Sequence, residues 1–112
     1  MPDKLLIFQK TYDFTIKLYP YLNRIPKSHR LTIGRYTEES SLRILQYIIK
    51  ANKQRSTEQR KMLQSAISDE LDILRIQIRL LKDLRFISVK QYINTIDKLN
   101  EIGRMLQGWM KI

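Results

Sequence analysis

Side chains that could perform chemistry are scarce in this chain. His29 is the only histidine, and because cysteine is absent, no nucleophile and base pair can be built on it. Its position beside a turn favours an imidazole that is solvated or hydrogen-bonded. The sequence therefore predicts a protein that is not an enzyme.

Metal and nucleotide sites lack support as well. The acidic residues occur as Glu38-Glu39 and as a group at positions 69, 70 and 72, without the Glu-x-x-His spacing of di-iron four-helix proteins. The three glycines, at positions 34, 103 and 108, form no phosphate-binding loop. We expect neither a metal nor a cofactor.

The charge of the chain is strongly positive. Lysine and arginine number 21 against 11 acids, which gives a net charge of +10 and favours a polyanion or an anionic membrane surface as partner. Arg75, Arg79 and Lys82 have the spacing of one helical face. Single arginines on such faces often only pair with acids of another helix, so this cluster alone does not establish a binding site.

A second basic cluster surrounds a turn. Arg24, Lys27 and Arg30 lie within seven residues around Ile25-Pro26, where a surface connection could contact a partner. An ordinary solvated turn would have the same composition.

The elements that must position these cations are helices. Apolar residues recur at intervals of three and four, and few glycines and prolines are available for β turns. The pattern predicts an all-α, antiparallel up-down four-helix bundle in one domain, 1–112, with helices at about 4–23, 28–52, 57–84 and 89–110. A three-helix fold, in which the second helix merges or melts, is the alternative.

Helix ends carry recognisable signals. Ser56 with Gln59 and Ser88 with Gln91 have the spacing of capping boxes. Pro20 should bend or fray the first helix, since it cannot donate to the carbonyl of Ile16.

Two glycines fall inside the predicted helices. Gly34 should weaken the second helix by about 1 kcal/mol relative to alanine. Gly103 is small enough to allow a neighbouring helix to approach the fourth.

Three helices carry more apolar surface than one core can bury. In the first helix we assign the row through Tyr12, Ile16 and Tyr19 to the core, which leaves another row outside it. We expect such surplus rows to form a subunit interface, although a wide apolar stripe can also mark a deeply buried helix. The predicted interface residues are Ile7, Phe14, Leu18, Ile73, Ile76, Leu80 and Trp109.

No apolar stretch has the length of a signal or membrane-spanning helix, so we expect a cytoplasmic location and no membrane partner. Lying on anionic lipid would require the bundle to open first.

Three groups of residues, in this order, resemble the accessory variability determinant proteins of diversity-generating retroelements. They are Leu18-Tyr19-Pro20 with Ile25-Pro26-Lys27 and His29, then Leu74-Arg75 with Arg79-Leu80-Leu81, then Ile102-Gly103-Arg104 with Leu106 and Gly108-Trp109. The wider group includes four-helix proteins encoded in 23S rRNA intervening sequences. Their usual Asn-Ile-Ala-Glu-Gly stretch is replaced here by Ile48-Ile49-Lys50-Ala51-Asn52, which favours the retroelement branch.

The resemblance implies a homopentameric barrel of four-helix bundles that binds nucleic acid and a reverse transcriptase, and that supports mutagenic cDNA synthesis and retrohoming. It carries binding roles over to Arg75, Arg79 and Arg104. The roles of Lys82 and of the turn cluster rest on charge alone. A 23S-type protein, or a structural adaptor without nucleic-acid binding, remains the alternative.

Overall fold

The computed structural model describes the backbone of residues 2–112 and the side chains from residue 6 onward. All regular structure in this part of the chain is helical, which confirms the predicted class. The four long helices are α1 (Pro2–Asn23), α3 (Arg35–Lys53), α4 (Thr57–Asp83) and α5 (Val89–Met110). The predicted second helix is divided, because the single turn α2 (Lys27–His29) and a π-helical segment (Arg30–Gly34) precede α3.

The long helices form an antiparallel bundle of 43 × 24 × 19 Å. α1 and α4 each pack against both α3 and α5, so every long helix has two neighbours. The rings of His29 and Phe86 lie 5.2 Å apart, which places the α1–α3 and α4–α5 connections at the same end. Short connections between neighbouring helices produce this up-down arrangement.

The caps follow the sequence signals to different degrees. At α5, the Gln91 amide donates to Ser88 Oγ at 3.0 Å and the Ser88 amide donates to Gln91 Oε1 at 2.9 Å, which is a complete capping box. At α4, only the first half is present, with the Gln59 amide 3.3 Å from Ser56 Oγ. Each bond satisfies an amide that the helix itself leaves unpaired.

Apolar residues at intervals of three and four, from position 67 to position 81, predict the core row of α4. Ile67, Leu71, Leu74, Ile78 and Leu81 are all buried at the centre of the bundle. They meet the buried residues of α3, which include Ile44, Ile48 and Ala51.

The assignment of the two rows on α1 was wrong. Tyr12, Ile16 and Tyr19 are exposed, whereas Ile7, Phe14 and Leu18 are at most 3% exposed and cannot contact a second copy. The core row also contains Thr11, whose hydroxyl donates to the carbonyl of Ile7 at 2.9 Å and so can be buried without an unsatisfied group. The four residues are Ile7, Thr11, Phe14 and Leu18, at the helical spacing of four and three.

Trp109 was also wrongly placed in the interface. It is 2% exposed and packs in the same core as Ile102 and Leu106, so it stabilises the subunit itself. At the other end of α5, the apolar periodicity of the helix predicts Val89 and Ile93 in the core, but both are exposed.

The two predicted breakers behave differently. α1 continues through Pro20 to Asn23. Gly34 is buried at the end of the π-helical segment, where an added Cβ would lie 3.4 Å from Ile25 Cδ1. The break in regular α-helix therefore lies at the glycine, which faces a packed side chain, while α1 is unbroken at the proline.

Candidate nucleic-acid interface

The flank of α4 that faces α5 carries the predicted basic row. Arg75 and Lys82 reach side chains of α5, while Arg79 projects outward with 70% of its side chain exposed. Since the core row of α4 fixes the rotation of the helix, the cations at positions 75, 79 and 82 are held on this one flank.

Arg75 is the most closely held cation of the row. Its Nη1 lies 2.9 Å from Asp72 Oδ1 on the preceding turn, and its Nε donates to Asn100 Oδ1 of α5 at 3.2 Å. About a third of its side chain stays exposed, so donors of the guanidinium remain available. A guanidinium fixed in this way loses little further conformational entropy when it binds an anion.

Gly103 makes room for this guanidinium. A Cβ at this position would lie 2.9 Å from Arg75 Nη2, closer than side-chain atoms ordinarily approach. The small residue therefore serves the placement of one arginine, a more local reason than the close helix approach inferred from sequence.

An open groove surrounds Arg75 between α4 and α5. Its charged lining residues are Arg75, Arg104 and Lys111 against the single acid Asp72. Arg104 is exposed and has no ion-pair partner among residues 6–112. Gly108 also lines the groove and adds no side chain to its wall. A Cβ added at Gly108 would have no atom within 4 Å. The positive lining is chemically suited to a negatively charged polymer.

Towards the other end of α4, two cations share one carboxylate. Lys82 Nζ lies 3.3 Å from Asp83 Oδ1, and Arg79 Nε lies 3.9 Å from Asp83 Oδ2. The ammonium of Lys82 also lies 4.5 Å from the ring centroid of Tyr92, a cation–π contact. This segment keeps a net positive charge, and its exposed pairs contribute little to stability.

The turn cluster is only partly available to a partner. Arg24 and Lys27 are exposed and make no ion pair within the described side chains. In contrast, Nε and Nη2 of Arg30 each donate to the carbonyl of Ile25 at 3.2 Å, so this side chain stabilises the connection between α1 and α3. Because α5 rises about 22 Å between positions 89 and 104, the turn cluster lies at the far end from Arg104.

Sequence reasoning missed two contributors to the groove. Asn100 orients Arg75 but has no signal in the sequence, since it acts through a neighbouring helix. Lys111 lines the groove beyond the end of α5 and belongs to no spaced cluster.

One arginine that the sequence left aside is structural. Arg43 of α3 donates to the buried Glu70 of α4, and this hydrogen bond raises the pKa of the Arg43 guanidinium. The pair lies on the opposite flank of α4 from Arg75, where it joins α3 to α4. It is therefore outside the groove.

Within residues 6–112, no group of three or more histidine, cysteine, aspartate or glutamate side chains is placed to hold a metal. In the same part of the chain, no helix is long and apolar enough to cross a membrane.

The outer row of α4 is exposed, as a surplus row must be. Ile73, Ile76 and Leu80 are 45%, 69% and 43% exposed, and Met62 and Leu84 lie on the same side of the helix. These aliphatic side chains have no cover within the described chain, and their use as an interface stays a prediction.

Comparison with known protein families identifies a match over most of the chain. A family model described as bAvd-like matches residues 5–112, which is nearly the whole chain. No curated protein matches the chain. The family match confirms the resemblance to accessory variability determinant proteins that the three motif groups indicate. The chain belongs to the bAvd-like family.

Proposed function

We propose that this protein is a non-catalytic accessory factor of a diversity-generating retroelement. It binds RNA or DNA along the α4–α5 groove and binds the partner reverse transcriptase, supporting mutagenic cDNA synthesis and retrohoming. The observation that carries the proposal is the contact between two motif segments: Arg75 of the second group lies on Gly103 of the third. Residues 28 positions apart in sequence thus form one site.

The groove suits a phosphate backbone because its charge is fixed in place. Arg75 is held by Asp72 and Asn100, while Arg104 and Lys111 extend the positive lining. Contacts of this kind position a backbone without reading bases, so binding should tolerate many sequences.

We further propose that copies of the chain assemble, as a homopentamer, through the outer row of α4. Exposed aliphatic side chains in a continuous row favour association with an apolar surface. In a cyclic assembly each groove is repeated about the axis, which concentrates positive charge.

The test replaces Arg75 and Arg79 together by glutamate. Affinity for a fluorescein-labelled RNA or DNA oligonucleotide should fall at least about a hundredfold, because one cation of the groove and one exposed cation on the same flank of α4 become repulsive to phosphate. Fluorescence anisotropy measures the affinity, while circular dichroism and light scattering check that helicity and oligomer size are unchanged. Retained affinity in this variant would exclude the groove.

Gly103→Ala supplies a test of geometry at constant charge. The added methyl group must displace the Arg75 guanidinium, so affinity should fall while the net charge stays the same. Gly108→Ala is the matched control, since a Cβ there meets open space. Equal affinity in the two glycine variants would show that the fixed position of Arg75 does not matter.

Salt dependence separates phosphate binding from a structural adaptor role. The logarithm of the binding constant should fall linearly with the logarithm of salt concentration, with a slope of about −0.7 to −0.9 per phosphate contacted. An oligomer that binds no nucleic acid at low salt would instead favour the adaptor, for which the exposed row on α4 would be sufficient.

A further inference from the structure

The turn between α4 and α5 contains the one residue in the described chain, other than glycine, whose φ is positive. Arg85 has φ of 65°. The amide of Phe86 donates to the carbonyl of Leu81, and the amide of Arg85 donates to that of Lys82, each at 2.9 Å. This is the Schellman arrangement of a helix end, in which the left-handed position is usually a glycine.

Arginine is an unfavourable choice at this position. A residue with a Cβ is strained in the left-handed region, and glycine would adopt it at no steric cost. The Arg85 side chain is exposed and has no ion pair or hydrogen bond with any described residue. No ion pair or hydrogen bond of this side chain within the described residues offsets the strain, which points to a contact outside the subunit.

The surroundings of Arg85 combine positive charge with flat apolar surface. An open depression is lined by Lys82, Arg85, Phe86, Val89, Tyr92 and Ile93, together with Asp83 and two turn residues. Val89 and Ile93 are exposed there. The exposed ring of His29 lies 5.2 Å from the half-buried ring of Phe86.

We propose that this depression is a second contact site, specific for single-stranded nucleic acid. Arg85 and Lys82 contact phosphates, and a base packs against the His29–Phe86 ring pair. Cations beside aromatic side chains bind unpaired strands, whose bases are free to stack, whereas bases inside a duplex are already stacked. The inference rests on the proposed function. It places the bound nucleic-acid strand along a path from the α4–α5 groove to the end of the bundle.

The test compares Arg85→Gly with Arg85→Lys. Arg85→Gly should raise Tm by about 4 °C, because glycine relieves the strain in a domain of this size. It should weaken binding of a fluorescein-labelled oligouridylate of about 20 nucleotides by roughly three- to tenfold, the loss expected for one phosphate contact. Arg85→Lys should keep the affinity and the lower Tm. A gain in stability together with a loss of binding would identify a residue kept for its contact.

The controls separate this site from net charge and from the groove. Arg55→Gln removes one exposed cation from the α3–α4 connection, at the other end of the bundle, and should weaken binding less than Arg85→Gly. The Arg85→Gly loss should also be larger for the oligouridylate than for a duplex of equal length. If the unaltered protein binds nucleic acid, either of two results would overturn the second site alone. In the first, Arg85→Gly weakens oligouridylate binding no more than Arg55→Gln does. In the second, Arg85→Gly weakens binding of the oligouridylate and of the duplex equally. If the unaltered protein binds no nucleic acid, both proposals fail.

Discussion

α1 and α4 each carry two apolar rows, and the bundle buries one row of each. The exposed rows differ in chemistry. On α1 the exposed row contains Tyr12 and Tyr19, whose hydroxyl groups can hydrogen-bond water at the tip of an apolar ring. On α4 it consists of aliphatic side chains such as Ile76 and Leu80, which have no such group. The comparison favours α4 over α1 as the surface that the proposed assembly would use.

The largest expected effect distinguishes the two rows of α1. Phe14→Ala should lower the free energy of unfolding by about 3–5 kcal/mol, because it leaves a cavity in the core. Ile16→Ala, on the exposed row, should change it by no more than about 0.5 kcal/mol. Urea unfolding followed by circular dichroism measures both, and similar losses would mean that the exposed row is also covered.

The next effect concerns the proposed assembly through the exposed row of α4. Ile76→Glu combined with Leu80→Glu should lower the association constant at least about a hundredfold, because two carboxylates would have to be desolvated in an apolar contact. Tyr12→Gln combined with Tyr19→Gln is the control on α1 and should leave assembly unchanged. Analytical ultracentrifugation gives the masses. Dissociation of the tyrosine variant, or an intact assembly in the glutamate variant, would reverse the comparison.

The smallest effect tests the rotation of α1 against α5. Lys10 Nζ lies 3.0 Å from Glu101 Oε1, and this hydrogen bond, with the attraction between the charges, lowers the pKa of the Glu101 carboxyl. A lowered folded-state pKa stabilises the fold above the ordinary carboxyl pKa, and this contribution is lost as pH falls through the folded value. Lys10→Gln should return the Glu101 pKa toward its ordinary value in an NMR titration. An unchanged titration would mean that α1 does not direct Lys10 toward α5.

The fold class was predictable because all four long helices have apolar residues at helical spacing. α4 was oriented correctly since Arg75, Arg79 and Lys82 mark the flank that cannot be buried in the core. α1 lacks that contrast: periodicity counts Tyr12 as apolar and Thr11 as polar, yet Thr11 is the buried one. Its hydroxyl bonds within its own helix, a possibility that the spacing of apolar residues does not reveal.

The candidate site was predictable only in part. Spacing placed Arg75 and Arg79 on one flank, and the resemblance added Arg104. The role of Gly103 depends on where a side chain from another helix ends, and that of Asn100 on a contact 25 residues away in sequence. Arg85 escaped notice because nothing in the residue type indicates a left-handed backbone.

The π-helical turn at Arg30–Gly34 is a place where a residue could be deleted from the sequence without turning α3. In a regular helix, one inserted residue rotates everything after it by about 100° and would turn the buried face of α3 toward water. A turn closed by bonds five residues apart accommodates one extra residue within itself. Deleting one residue here would convert the segment to a regular α-helical turn, and Ile44 and Ile48 would still point into the same core.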